Sequence, residues 1–219
     1  MRDFSSVQGG FFGARVFRAA LATVILVVGF AAASVPASAA GPAEQFISDN
    51  AQKGITILGN KQLSKDQRRA QFQDFLLGLA DIKAISVYTL GQYRRTASPA
   101  DIDAFSAAFK DYALAVYQSY FDKFSGQTLQ VTGSYPAAPD ETVVKSIMND
   151  PKKTNDANPL EVNFRVSSAN GRMAVIDFSV GGVWLRETEK SDFTSYLGQN
   201  GGAVPKLTAM LKTKAQQIK

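Results

Sequence analysis

The 219-residue chain contains no cysteine, no histidine and a single tryptophan, Trp184. Without thiols it can form no disulfide framework, thiolate nucleophile or cysteine metal site. Without imidazole it has no Ser-His-Asp triad, no histidine base near neutral pH and no histidine-ligated zinc. Carboxylate, lysine, tyrosine and hydroxyl chemistry remains, so neither a catalytic metal nor a cofactor is expected. A strong excess of one charge is also missing. The 24 Lys and Arg against 19 Asp and Glu give +5 with no clustered basic stripe, which excludes the electrostatic footprint of a nucleic-acid binder. With 45% hydrophobic and 20% charged residues, the chain has the make-up of a globular protein.

What is present begins with an N-terminal targeting pattern. Arg2, Arg15 and Arg18 precede an uncharged run over residues 19–33, and Ala37-Ser38-Ala39 supplies an A-x-A cleavage site. This predicts a secretory signal peptide over 1–39 and a single exported domain over 40–219. The competing reading is an uncleaved anchor, but the strongly apolar run is shorter than the ~20 residues that a span needs. Loss of the signal lowers Lys plus Arg from 24 to 21 and acids from 19 to 18, a balance of +3. That mild charge is compatible with a weak attraction to anionic lipid headgroups.

Apolar residues recurring at helical spacing (Ile47, Ala51, Ile55, Leu58) predict a first helix over 42–58. Ser64 and Gln67 form a capping-box pattern ahead of a second helix carrying Phe72, Phe75, Leu76 and Leu79. Asp81 caps a short third helix bearing Ile82, Ile85 and Val87. Ser98, Pro99 and Asp101 then give three coincident start signals for a long fourth helix. This helix carries Phe105, Phe109, Tyr112, Tyr117, Tyr120 and Phe121, and its apolar face is wider than the ~100° stripe needed to rest on a single sheet. It is either a core helix packed on two sides or the wall of a ligand cavity.

Past Gly126 the period changes to two. Strands are predicted over 128–135, which includes Val131, and over 141–148. Two more follow over 160–166, which includes Phe164, and over 173–180, which includes Phe178. Pro136 and Pro139 break the first pair, and Asn170-Gly171 is the favoured dipeptide of a tight hairpin. Gly181-Gly182 kinks or bulges the chain before Val183-Trp184-Leu185, and two closing helices follow, one with Phe193. Segregated runs of this kind predict an α+β fold: a curved antiparallel sheet of about four strands with helices on its concave face, flanked by N- and C-terminal helices and enclosing an apolar cavity.

Three short blocks carry a resemblance. Leu90-Gly91, Tyr93 and Arg94 stand in the pattern "aLG.YwR", with Phe105 and Phe109 at the spacing of the helix that follows. The segment VIDFSVGGVWL, with Asp177, Gly182, Val183 and Leu185, is similar to "vyDv.veGvSl", and residues 202–211 match a terminal helix. On these residues the chain resembles the MlaC-type, toluene-tolerance family of periplasmic lipid-binding proteins, which includes a hopanoid-associated HpnM branch. Gly181 stands where a Glu is common, Trp184 replaces a Ser, and Gln92-Tyr93-Arg94-Arg95 lacks a Trp.

The resemblance implies a soluble, non-catalytic carrier of phospholipid or hopanoid-type lipid that supports outer-membrane lipid asymmetry. Its partners would be an outer-membrane lipoprotein complex and an inner-membrane ABC transporter with an MCE-domain subunit. Such a carrier must spare its cargo about 0.8 kcal/mol for each CH₂ that would otherwise meet water. The expected wall is Ile85, Tyr88, Leu90, Tyr93, Phe105, Phe109, Tyr117 and Phe193 from helices, with Val131, Phe164, Phe178, Val183 and Trp184 from the sheet side. Arg94 and its neighbour Arg95 are expected at the rim, against the headgroup. A different class is a secreted, metal-free enzyme in which Asp177 acts as a buried base with Tyr88 or Tyr93. Against it stands an Asp177 that faces outward or is hydrogen-bonded to neighbouring backbone. A third class is a chaperone holding apolar peptides in the same groove.

Overall fold

Local capping chemistry sets the helix starts. The Ser64 hydroxyl accepts the Gln67 N–H at 3.2 Å while the Gln67 side chain accepts the Ser64 N–H at 2.9 Å, which begins α2 (Lys65–Leu79). Asp81 accepts the Ala84 N–H at 2.9 Å and begins α3 (Ile82–Thr89). Ser98 accepts the Asp101 N–H at 3.1 Å ahead of Pro99, the first residue of α4 (Pro99–Phe121). Before them lies α1 (Pro42–Gly59); α5 (Leu185–Gln199) and α6 (Val204–Gln217) close the chain. This computed structural model describes residues 41–121, 124–153 and 159–218, with backbone alone at 117–121 and 170. The expected signal segment lies outside the described residues.

The sheet is antiparallel and open, in the order β1 (Thr128–Ala138), β2 (Glu141–Asn149), β3 (Leu160–Ser167), β4 (Ala174–Val180), β5 (Val183–Trp184). The α+β architecture with six helices is the one expected, and three details differ. First, β1 continues through Pro136. It is an edge strand paired only with β2, so a residue without an N–H interrupts no ladder on its free side. Second, Ala169–Gly171 forms a 3₁₀ turn instead of a two-residue hairpin, with Gly171 at φ 72°. Third, Gly181 (φ 57°) and Gly182 (φ 83°) do more than kink the chain. Their left-handed backbone folds Val183 and Trp184 back to pair with Val180 and Ser179 as a fifth strand.

All these elements belong to the compact unit Ala39–Lys219, and its apolar side chains gather in two clusters. The first is helical and joins Leu90, Phe105, Ala108, Phe109, Phe193, Leu197, Val204, Leu207 and Leu211. Phe193 meets Phe105 and Phe109 edge to face, at 6.0 and 6.3 Å between ring centroids. The wide apolar face of α4 is accounted for here: its chief neighbours are α6 and α3. The second cluster lies where α1 crosses β1 and β2. Ile47, Val144, Val166 and Val175 are buried in it, among half-buried Phe46, Leu79, Leu129, Val131, Phe164 and Met173.

Candidate functional site

Strand alternation gives the sheet two chemically different faces. Phe164 and Phe178 are register partners and their rings stack at 6.5 Å and 28°. The next pair along, Arg165 and Asp177, therefore points to the opposite face. In this cluster Ile47 and three valines are fully enclosed, whereas Phe46, Phe164 and Phe178 are only half-buried. The adjoining helix α2 has no fully buried residue, although it carries a stripe of Phe72, Phe75, Leu76 and Leu79. Phe72 and Phe75, 5.8 Å apart, lie over buried Gly54 of α1, where even a methyl group would come within 3.2 Å of the Phe75 ring. Leu79 ties this aromatic pair's helix into the sheet cluster. The result is an apolar surface bounded by a sheet and two helices, with large rings that still meet solvent. A long aliphatic chain laid there would take the place of water against those rings.

The opposite face is polar. Asp177 is 2% exposed, and its Oδ1 accepts the N–H of Phe178 at 2.8 Å and of Arg186 at 2.9 Å. Burial pushes its pKa up, opposed by those N–H groups and by the charges of Arg186 and Arg165. Arg186, 9% exposed, brings its Nε to 3.7 Å from Asp177 Oδ2 and lays its guanidinium 3.9 Å over the Tyr88 ring. Lys190 Nζ lies 4.7 Å from the centroid of the same ring, and the Tyr88 hydroxyl donates to Glu187. Arg165 pairs with Glu141 at 3.2 Å and sits 5.1 Å over Trp184. A cavity of about 370 Å³ opens beside this layer, lined by Tyr88, Arg94, Glu141, Arg172, Ile176 and Arg186 among others.

The expected wall residues therefore divide. Val131, Phe164 and Phe178 belong to the half-open sheet cluster. Leu90, Phe105, Phe109 and Phe193 are sealed in the helical core, with Ile85 and Tyr93 packed on its edge. The structure does not bring these two groups into one continuous wall. Tyr88 and Arg94 line the polar cavity; Arg95 is exposed. Val183 is 54% exposed, and Trp184 is half-buried beneath Arg165. The Tyr117 side chain lies outside the described residues. Asp177 takes the backbone-bonded arrangement and not the outward-facing one. Of its two suggested partners, Tyr93 packs in the helical cluster, and Tyr88 shares Arg186 with it as a common neighbour.

Sequence reasoning gave Phe46, Phe72, Phe75 and Leu79 to helix packing alone. The signal that could have singled them out is a helix with four large apolar residues and little else to cover them. Arg172 and Arg186 had no such signal, because neither stands in a recognisable motif.

A family model described as MlaC protein matches residues 48–213. The fold is also similar to the solved structure of a phospholipid-binding protein from Ralstonia solanacearum in complex with a phospholipid. The TM-score is 0.69 at 23% sequence identity, and the match covers 81% of this chain and 99% of that one.

Proposed function

The chain belongs to the MlaC protein family, and from that premise we propose that it binds a phospholipid or a related hopanoid-type lipid and carries it across the periplasm. In this reading the acyl chains lie on the half-open cluster formed by the sheet, α1 and α2. The soluble carrier passes its lipid between an outer-membrane lipoprotein complex and an inner-membrane MCE/ABC transporter, without catalysis. The observation that carries the reading is the partial exposure of Phe46 on α1 and of Phe164 and Phe178 on the sheet, in a protein whose helical cluster buries Phe105, Phe109 and Phe193. Exposed rings of this kind cost free energy in water and regain it against hydrocarbon, at about 0.8 kcal/mol per buried CH₂ of the guest. The Ralstonia protein, crystallised with its phospholipid, supports the same cargo class.

The test is to purify the exported protein without detergent, record a native mass spectrum and identify the solvent-extracted lipid. One lipid per chain is expected, and its fragmentation distinguishes a glycerophospholipid from a hopanoid. A lipid-free protein that turns over a small substrate, and loses that turnover in Asp177→Asn, would replace the carrier reading with the enzyme one.

A further inference from the structure

We propose that the polar cavity beside α3 is a binding site for a phosphate ester group, held by Arg94, Arg172 and Arg186. Arg186 is the centre of the argument. It is nine-tenths buried, yet its Nε has no hydrogen-bond acceptor, and its guanidinium is held by stacking on Tyr88 and a 3.7 Å approach to Asp177. The Asp177 carboxylate balances its charge without giving Nε a hydrogen bond, so the buried guanidinium keeps one unsatisfied donor, and that is costly. Arg94 and Arg172 line the same cavity, and no carboxylate among the described residues pairs with either; Arg172 reaches only the Gly78 carbonyl, at 3.5 Å.

The carboxylates that line the cavity are already engaged. Asp81 accepts the Ala84 N–H at the start of α3, and Glu141 pairs with Arg165. With Arg186 set against Asp177, the guanidinium left without a carboxylate in the cavity is that of Arg94 and Arg172. Planar guanidinium forks match the oxygens of a phosphate better than they match any neutral group. About 370 Å³ leaves room for a phosphate with a glycerol and water beside it.

Two sources share this chemistry: the headgroup of a carried lipid, and a free soluble phosphate ester. The lipid source rests on the carrier reading. It draws on a short path, since Leu79 and Met173 of the sheet cluster lie two residues and one residue from Asp81 and Ala174 of the cavity, across the Ala80–Val175 bridge.

Titration of sn-glycerol 3-phosphate into the lipid-extracted full protein, followed by calorimetry and ³¹P NMR, is the test, with glycerol as control. Binding of the ester and not of glycerol is expected. The rim variant R94Q/R172Q and the charge-keeping variant Arg186→Lys should each weaken it by about tenfold or more. If protein reloaded with phosphatidylglycerol no longer takes the ester, the site belongs to the carried headgroup; if loaded and extracted protein bind it alike, the ligand is a soluble ester. An extracted wild-type protein that binds no ester, or binding that neither variant weakens, overturns the phosphate site. Should the protein before extraction hold lipid in its native mass spectrum, the carrier reading stands without this site.

Discussion

In the helical cluster Phe105 and Phe193 meet edge to face at 0% and 3% exposure, whereas in the sheet cluster Phe164 and Phe178 stack and remain half-exposed. The residue types are alike; what differs is what surrounds them. Around Phe105, elements α3 to α6 close on every side with leucine, valine and phenylalanine. Over the sheet there is α1, with α2 leaning on it through Phe72 and Phe75 around a glycine. One cluster is finished by the chain itself, and the other leaves apolar surface for a guest. Stability and cargo binding should therefore separate when each is perturbed.

The largest expected effect is Phe105→Ala, which leaves a sealed cavity and should cost about 3–5 kcal/mol of unfolding free energy. The folded fraction should retain its lipid; equal lipid loss here and in the sheet cluster would dissolve the distinction. Phe178→Ala removes a half-buried ring and should cost about 1.5–2.5 kcal/mol, roughly half the buried value. Its lipid content should nevertheless fall well below that of Phe105→Ala. Ser64→Ala deletes the cap of α2 and should cost about 1 kcal/mol. Because α2 packs on α1 and reaches the sheet cluster through Leu79, lipid should leave this variant faster.

The smallest effect concerns pH. Burial raises the Glu189 pKa above its ordinary 4.5, and the nearby Asp192 charge adds to that, against Lys214 and a hydrogen bond from Tyr112. A carboxyl raised in the folded state binds its proton more tightly there than in the unfolded chain. Its contribution is therefore fully present below 4.5 and is lost as pH rises through the raised value. Glu189→Gln should flatten that part of the stability–pH curve by no more than ~1 kcal/mol, since the group is partly screened by solvent. Urea midpoints between pH 4 and 8 would show it.

Helix starts were legible because capping is local: Ser64, Asp81 and Ser98 sit within three residues of the N–H groups that they satisfy. Strand alternation was equally local. What lay beyond reach depends on position in three dimensions. Pro136 reads as a breaker until β1 is known to be an edge, and Gly181-Gly182 reads as a kink until β4 offers Ser179 and Val180 for pairing. Periodicity showed that α4 has a wide apolar face, but not that α3 and α6 would fill it, so Phe105 and Phe109 could be placed in a cavity wall as easily as in a core. The polar cavity gathers residues from Asp81 to Arg186, and of its arginines only Arg94 stood in a recognisable block. Asp177 was ambiguous because its partner N–H belongs to Arg186, nine positions away and beyond the glycine turn.

The central claim is that cargo lies against the sheet face and not in the helical core. Native mass spectrometry of detergent-free wild-type protein beside the Phe164→Asp and Phe178→Asp variants, each first shown to be folded by circular dichroism, tests it directly. One lipid per chain is expected in the wild type and none in either variant, since a charge on that face cannot be laid against hydrocarbon without a severe penalty. Variants that fold and keep their full complement of lipid would contradict the claim and move the cargo elsewhere in the molecule.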